Sequence, residues 1–487
     1  MLNAPLKIEV AMHKPLRLHN LSLTFPAKTC FAGVSTTVHP GDRIAIVGRN
    51  GSGKTSLLKI LGNICEPSEG FVERPHDWRV GVVPQMIQTH DTLSGGQRVQ
   101  KALTEALVSH PDLLLLDEPT NYLDARGKKH LLSMLSRFSG TLIVVSHDLD
   151  LLRQIPKILW HIEPPCLHVF RGRYDDYVWG RDQNRTSLLA EETRLRRQEK
   201  SMHQARMREQ KRAAKSKAKG QKSVRQRKWP PVVSNEKAAR AQEITGHRQA
   251  AILEKKEAIG ARLSELKMPE VITPRFHLAG AEAQGTVLRI SDGTAMYRGT
   301  SHRVTGVNIA LESGERAHVR GANASGKSLL LKAIGCHKAV ERTGDWCVPS
   351  RDKTGVLDQH YTDLQPHTSV FDHIHALQPN WSSRDVRLHL NAFLFRKNEE
   401  VMAPTHTLSG GEKVRLALAM IAAHTPQLLL LDEVTCNLDL ETKAHLLQVL
   451  KAYPGAMLLV CHEGGFVEEL SMHHAYDIKE GCCEPLK

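Results

Sequence analysis

The chain repeats itself. GRNGSGKT at 48–55 returns as GANASGKS at 321–328, LSGGQ at 93–97 as LSGGE at 408–412, and LLLLDEPTNYLD at 113–124 as LLLLDEVTCNLD at 428–439. SHD at 146–148 returns as CHE at 461–463, so four motifs recur in the same order. Chance supplies one such match; four in register mark a duplicated domain. The length agrees, because 487 residues exceed what a single hydrophobic core organises. Each half alternates short apolar runs with helical patterns. Arg43–Val47, Val80–Val83, Leu113–Leu116 and Thr141–Val145 predict buried strands, which makes the halves α/β with a mainly parallel sheet. The predicted organisation is two such domains, 1–180 and 276–487, joined by a segment 181–275 of different composition.

The repeated motifs carry phosphate chemistry. GRNGSGKT fits G-x-x-x-x-G-K-[ST] and lies between a predicted strand and a predicted helix, the context a phosphate-binding loop requires. Gly48, Gly51 and Gly53, with the backbone of Asn50 and Ser56, let N–H groups close around phosphate oxygens at a helix N-terminus. Lys54 is placed to reach the terminal phosphates and Thr55 to hold Mg²⁺. Gly321, Asn323, Ser325, Gly326, Lys327 and Ser328 repeat the pattern. The apolar runs end in Asp117-Glu118 and Asp432-Glu433, at the strand edge where parallel sheets bind ligands. The aspartate is expected at the metal and the glutamate as general base on the attacking water. A carboxylate pair beside a phosphate loop, present twice, is not explained as strand capping. The predicted ligands are therefore the phosphates of a nucleotide and Mg²⁺.

These motifs together resemble the ATP-binding cassette superfamily, over about four-fifths of the chain. The resemblance implies two cassettes paired within one monomer, each ATP held by one phosphate loop and the other cassette's signature. One site would join Lys54, Thr55, Gln85, Asp117, Glu118 and His147 to Ser409, Gly410 and Gly411, with Glu412 following. The other would join Lys327, Ser328, Gln359, Asp432, Glu433 and His462 to Ser94, Gly95 and Gly96, with Gln97 following. Gln85 and Gln359 match the family's Q-loop glutamine, and His147 and His462 its switch histidine. Phe25 and Tyr297 precede the two loops at similar distances and could stack on adenine; a core aromatic would look the same.

The middle segment holds the charge. The chain carries a net +14, and residues 181–230 contain 17 Lys and Arg against 5 Asp and Glu. Concentrated charge of this kind marks a docking element. Arg185–Ala218 is rich in helix formers, Gly220 and Trp229-Pro230-Pro231 break the pattern, and Glu236–Leu266 resumes it. The predicted form is a long basic α-helical hairpin. Its cations offer phosphate contacts that fix position without reading sequence. Arg225, Arg227, Lys228 and Trp229, near the tip, are the candidate RNA contacts, the tryptophan by stacking on a base. A solvated charged coiled coil is the plainer alternative.

No run approaches the roughly 18 apolar residues of a membrane span, and the N-terminus predicts no secretory signal. Nine cysteines without a CxxC pair point to a reduced cytoplasm. Two cassettes, a charged linker, DEPTNYLD and the Tyr174-Asp175-Asp176-Tyr177 stretch resemble the superfamily's F class, soluble tandem proteins that act on ribosomes. Seven residues separate Gln85 from Leu93, against 48 between Gln359 and Leu408, so the first cassette is predicted to lack almost its whole helical subdomain. That asymmetry is similar to the branch that protects ribosomes from antibiotics, whose linker enters the tRNA exit site towards the peptidyl-transferase centre. The implied partner is the ribosome, through rRNA and possibly tRNA. A housekeeping factor that relieves stalled ribosomes, a membrane exporter's motor and a DNA-repair ATPase are the rival readings. The linker tip does not separate the first; the missing subdomain argues against the second, and the linker's place between cassettes against the third. Val434, Cys436 and Glu463 depart from the family pattern, from which unequal turnover at the two sites is expected.

Overall fold

A computed structural model describes residues 14–26, 28–85, 95–121, 123–225, 250–251, 253–262, 272, 274–276, 285–300, 302–358, 361–436 and 438–486. The chain forms two compact units: Met1–Asp175 with Val271–Lys487, and Asp176–Glu270.

The α/β architecture is as the sequence predicts. In the first cassette Val80–Val83, Leu113–Asp117, Thr141–Val145, Arg43–Gly48 and Ile158–Glu163 lie side by side as parallel strands, and Cys166–Arg171 closes the edge antiparallel. Leu113–Leu116 and Leu142–Val145 are buried on both faces, which is why they read as unbroken apolar runs. A separate antiparallel sheet of Lys28–Val38, Leu16–Phe25 and Glu69–Glu73 packs its leucines into the same core. The second cassette fuses the two layers into one nine-stranded sheet, with the strand Arg316–Gly321 between Ala456–Val460 and His474–Lys479.

The cassettes differ where the sequence says they should. In the second, Val370–Leu377, Ser383–Ala392 and Asn398–Met402 intervene between Thr354–Leu357 and the helix Gly410–Ala423. Val370, Ile374, Val386, Leu390, Phe393 and Phe395 form one core with Val414, Leu416 and Leu418 of that helix. The matching helix of the first cassette, Gly95–Val108, has no such cover in its sequence. Its composition shows the difference: Lys101, Thr104 and Glu105 stand where the second cassette has Leu416, Ala419 and Met420. Lys101 is exposed and Leu416 fully buried.

The linker helix is longer than the sequence pattern suggests. It runs from Tyr174 to Arg225, starting eleven residues before Arg185 and passing through Gly220. A glycine in a helix interior costs only about 1 kcal/mol, too little to stop a run of Lys, Gln and Ala. Arg194, Arg196, Arg197, Arg206, Arg208 and Arg212 are exposed along it. A second helical stretch, described at 250–251 and 253–262, contributes Arg262, whose Nε stands 3.3 Å from Glu191 Oε1 of the long helix. Arg227, Lys228, Trp229 and the side chain of Arg225 lie outside the described residues.

The difference in cover is measurable. Leu416→Ala should lower stability by about 2–5 kcal/mol in urea titration, whereas Lys101→Ala, at the equivalent place in the first cassette, should change it by no more than about 0.5 kcal/mol.

Candidate nucleotide-binding site

Each phosphate loop sits between a central strand and a short helix. Arg43–Gly48 leads into Lys54–Leu61, and Arg316–Gly321 into Lys327–Ile334. Both helices start from a left-handed glycine, Gly53 at φ 97° and Gly326 at φ 107°. Gly48 and Gly321 also have positive φ, and a Cβ on either would lie 2.6 Å from Ile162 O or 2.8 Å from Ile478 O. Only glycine fits there. The two lysines are held alike. Lys54 Nζ donates to Gly48 O at 2.8 Å and Arg49 O at 2.9 Å; Lys327 Nζ donates to Gly321 O at 3.0 Å and Ala322 O at 2.7 Å. Both ammonium groups thus lie folded over their own loops, and burial lowers the pKa of each.

The carboxylates gather against these loops. Asp117 accepts a hydrogen bond from the Thr55 hydroxyl, and Asp432 from that of Ser328. Asp117 Oδ1 and Asp432 Oδ1 are buried without a hydrogen-bond partner among the described residues. A hydroxyl and a carboxylate converging beside a phosphate loop suit a hard divalent cation, so the residues present fit Mg²⁺. Glu118 and Glu433 follow in left-handed backbone, at φ 48° and 50°. A non-glycine residue held there stores strain of order 1–3 kcal/mol. It recurs at both sites, and each strained glutamate faces a histidine: His147 Nε2 is 3.4 Å from Glu118 Oε1, and His462 Nε2 is 3.4 Å from Glu433 Oε1.

The two glutamates differ electrostatically. Burial pushes Glu118 up to about 7, against the opposing pull of Lys54 and of Lys443 from the other cassette. The His462 imidazole, 3.4 Å away, holds Glu433 below the ordinary carboxylate range. Burial also drives His147 well below its usual value. Cys436, one of the sequence's departures, has its Sγ 3.8 Å from Glu433 Oε2.

One continuous cleft of about 1070 Å³ takes in both sets of residues. Lys54, Thr55, Gln85, Asp117, Glu118 and His147 border it, as do Lys327, Ser328, Glu433 and His462. Phe25 and Tyr297 stand on its walls. The expected signature residues of the second cassette are not brought in: Ser409, Gly410 and Gly411 do not line the cleft. Ser409 instead closes its own helix, with Glu412 N donating to Ser409 Oγ and Ser409 N donating to Glu412 Oε2 at 2.8 Å. Of the first signature, Gly95, Gly96 and Gln97 open the helix Gly95–Val108, while Ser94 lies outside the described residues, as does Gln359.

What reaches the first phosphate loop from the second cassette is the segment after its aspartate strand. Asp439 Oδ2 accepts from Asn50 N at 2.9 Å, Glu441 pairs with Arg49 at 3.4 Å, and Lys443 donates to His147 O at 2.8 Å. The sequence reading passed over these three. A signal was present, since Asp439 and Lys443 recur in register as Asp124 and Lys128.

Two phosphate loops in one cleft, each with a metal-type hydroxyl–carboxylate pair and a glutamate–histidine pair, define a tandem ATP-binding protein. The ABC transporter family matches residues 31–88, 79–121 and 304–436, with the first cassette matched in two pieces that meet where it is shortened. The chain is 27% identical to a ribosome protection protein, VmlR of Bacillus subtilis (strain 168), over 94% of this chain and 86% of that one. It is 27% identical to the putative ATP-binding protein YdiF of the same organism, over 94% and 79%. It is also 27% identical to the erythromycin resistance ATP-binding protein MsrA of Staphylococcus epidermidis, over 88% and 91%. Among solved structures, an archaeal ribosome recycling factor in complex with a ribosomal stalk protein matches with a TM-score of 0.61 at 16% identity, covering 95% of this chain and 89% of that one. The similarity to the ABC transporter family thus falls in both halves of the chain, and the named relatives span nearly all of it.

Gly48→Ala or Gly321→Ala should each abolish ATP binding at its own loop while leaving the other intact. Titration with a fluorescent nucleotide analogue should then show one site where the parent chain shows two.

Proposed function

We propose that this protein hydrolyses ATP at both sites, binds the ribosome when ATP closes its cassettes, and releases it on hydrolysis. The observation that carries the reading is the pair of loop, carboxylate and histidine sets in one cleft. Lys54 and Lys327 would swing from their loop carbonyls to the terminal phosphates. Thr55 with Asp117, and Ser328 with Asp432, would hold Mg²⁺, which neutralises charge on the phosphates when bound. Glu118 and Glu433 would orient and deprotonate the attacking water, with His147 and His462 beside them. Phe25 and Tyr297 would bracket adenine. ATP favours closure only by binding the closed form more tightly than the open one.

The linker would then reach through the tRNA exit side towards the peptidyl-transferase region and protect the ribosome from an antibiotic. The exposed arginines of the long helix supply phosphate contacts, and Arg225, Arg227, Lys228 and Trp229 would meet RNA near the tip. Relatives named for ribosome protection and erythromycin resistance favour this over a housekeeping role. An exporter's motor is not favoured, because the subdomain that would couple to a membrane partner is nearly absent from the first cassette, where Lys101, Thr104 and Glu105 leave Gly95–Val108 a polar outer face.

The chain with both Glu118→Gln and Glu433→Gln should bind ATP without turnover and sediment with ribosomes in ATP at low salt. Sedimentation free of ribosomes would overturn the reading. Expression of the parent chain in a drug-sensitive host should raise the inhibitory concentration of a ribosome-targeting antibiotic; no change would return it to the housekeeping class.

A further inference from the structure

Lys443 lies on the first turn of the second cassette's helix Leu440–Ala452 and is buried. Its Nζ donates to three oxygens: Glu463 Oε1 at 2.6 Å, Glu463 Oε2 at 2.8 Å, and the main-chain carbonyl of His147 at 2.8 Å. The first two belong to its own cassette. The third belongs to the histidine that stands against Glu118 at the first site. The turn that carries Lys443 is itself fixed across the same seam. Asp439 caps the helix by accepting from Thr442 N at 2.8 Å and, with its other oxygen, accepts from Asn50 N of the first phosphate loop.

The repeat offers a control within the molecule. Lys128 and Asp148 are the first cassette's counterparts of Lys443 and Glu463. Lys128 Nζ donates to Asp148 Oδ2 at 2.6 Å, and among the described residues no bond from it reaches the carbonyl of His462. The flanking ion pair is also one-sided, because the positions matching Arg49 and Glu441 hold Ala322 and Arg126. A lysine bridging the seam is therefore a property of the first site.

We propose that Lys443 is a positioning residue that acts across the seam, fixing the backbone of His147 so that its imidazole faces Glu118, and that hydrolysis at the first site depends on the second cassette's helix being seated there. The second site has no matching dependence on Lys128. The inference rests on the ATPase reading above. Holding the backbone carbonyl fixes where the His147 side chain begins, and a displacement of about 1 Å at a catalytic group can cost about a hundredfold in rate.

The test is single-turnover hydrolysis of Mg-ATP by the full chain, with the first site read in a Glu433→Gln background and the second in Glu118→Gln. Lys443→Met removes the bridge. Lys443→Met with Glu463→Gln removes it without stranding a buried carboxylate, and covers the case in which the single variant does not fold. In either, the ratio of first-site to second-site rate should fall by about tenfold to a hundredfold, while ATP affinity at the first site stays within about twofold. An unchanged ratio, or a loss of affinity that accounts for the loss of rate, would overturn the proposal and leave Lys443 a merely structural pair for Glu463. Absence of turnover in the parent chain would overturn the ATPase reading, and this inference with it.

Discussion

The seam between the cassettes is built on buried charge. Lys443 with Glu463, and Lys128 with Asp148, place two ammonium groups and two carboxylates where the halves meet, all buried but the half-buried Lys128. Such pairs add little net stability, because desolvation offsets their attraction, yet stranding one charge costs about 3–5 kcal/mol. Their effect is discrimination. An arrangement shifted by a few ångströms would leave Lys443 without the His147 carbonyl, and Asn50 N–H without Asp439. An apolar seam would tolerate such a slip; this one fixes a register in which the first half's phosphate loop meets a defined turn of the second.

That register explains why two sites of similar sequence behave as different chemical environments. Glu118 is sealed by burial and opposed by Lys54 of its own cassette and Lys443 of the other, whereas Glu433 is held by its neighbouring histidine. The drift of the later motifs in the second cassette therefore bears on the first site. Glu463, one methylene longer than Asp148, holds a lysine that reaches across the seam; Asp148 holds one that does not.

Most of the site was legible because its parts are short and local. A phosphate loop needs glycines at fixed offsets and a lysine at the start of the helix, and the aspartate-glutamate pair needs only the end of an apolar strand. The missing subdomain was legible as a loop length and again as Lys101 and Glu105 in place of Leu416 and Met420. The left-handed backbone of both glutamates was not, since nothing in DEPT or DEVT requires it. Nor were Asp439 and Lys443, whose contacts depend on how two distant halves sit together rather than on any local pattern. The long helix exceeds its predicted span at both ends: it already begins at Tyr174, and Gly220 costs too little to end a run of strong helix formers.

The root of that helix lies close to His147 in the chain's wiring. Asp148 caps the short helix Leu149–Gln154, and Arg153 from that helix pairs with Asp175 at 3.0 Å, on the first turn of Tyr174–Arg225. Few links separate the segment that flanks the nucleotide from the base of a lever. A continuous helix of this length extends roughly 78 Å, so a tilt of about 5° at its root carries the far end through roughly 7 Å. A rearrangement beside the phosphates too small to disturb the sheet would thus become, at the other end of the helix, a displacement on the scale of a nucleotide base.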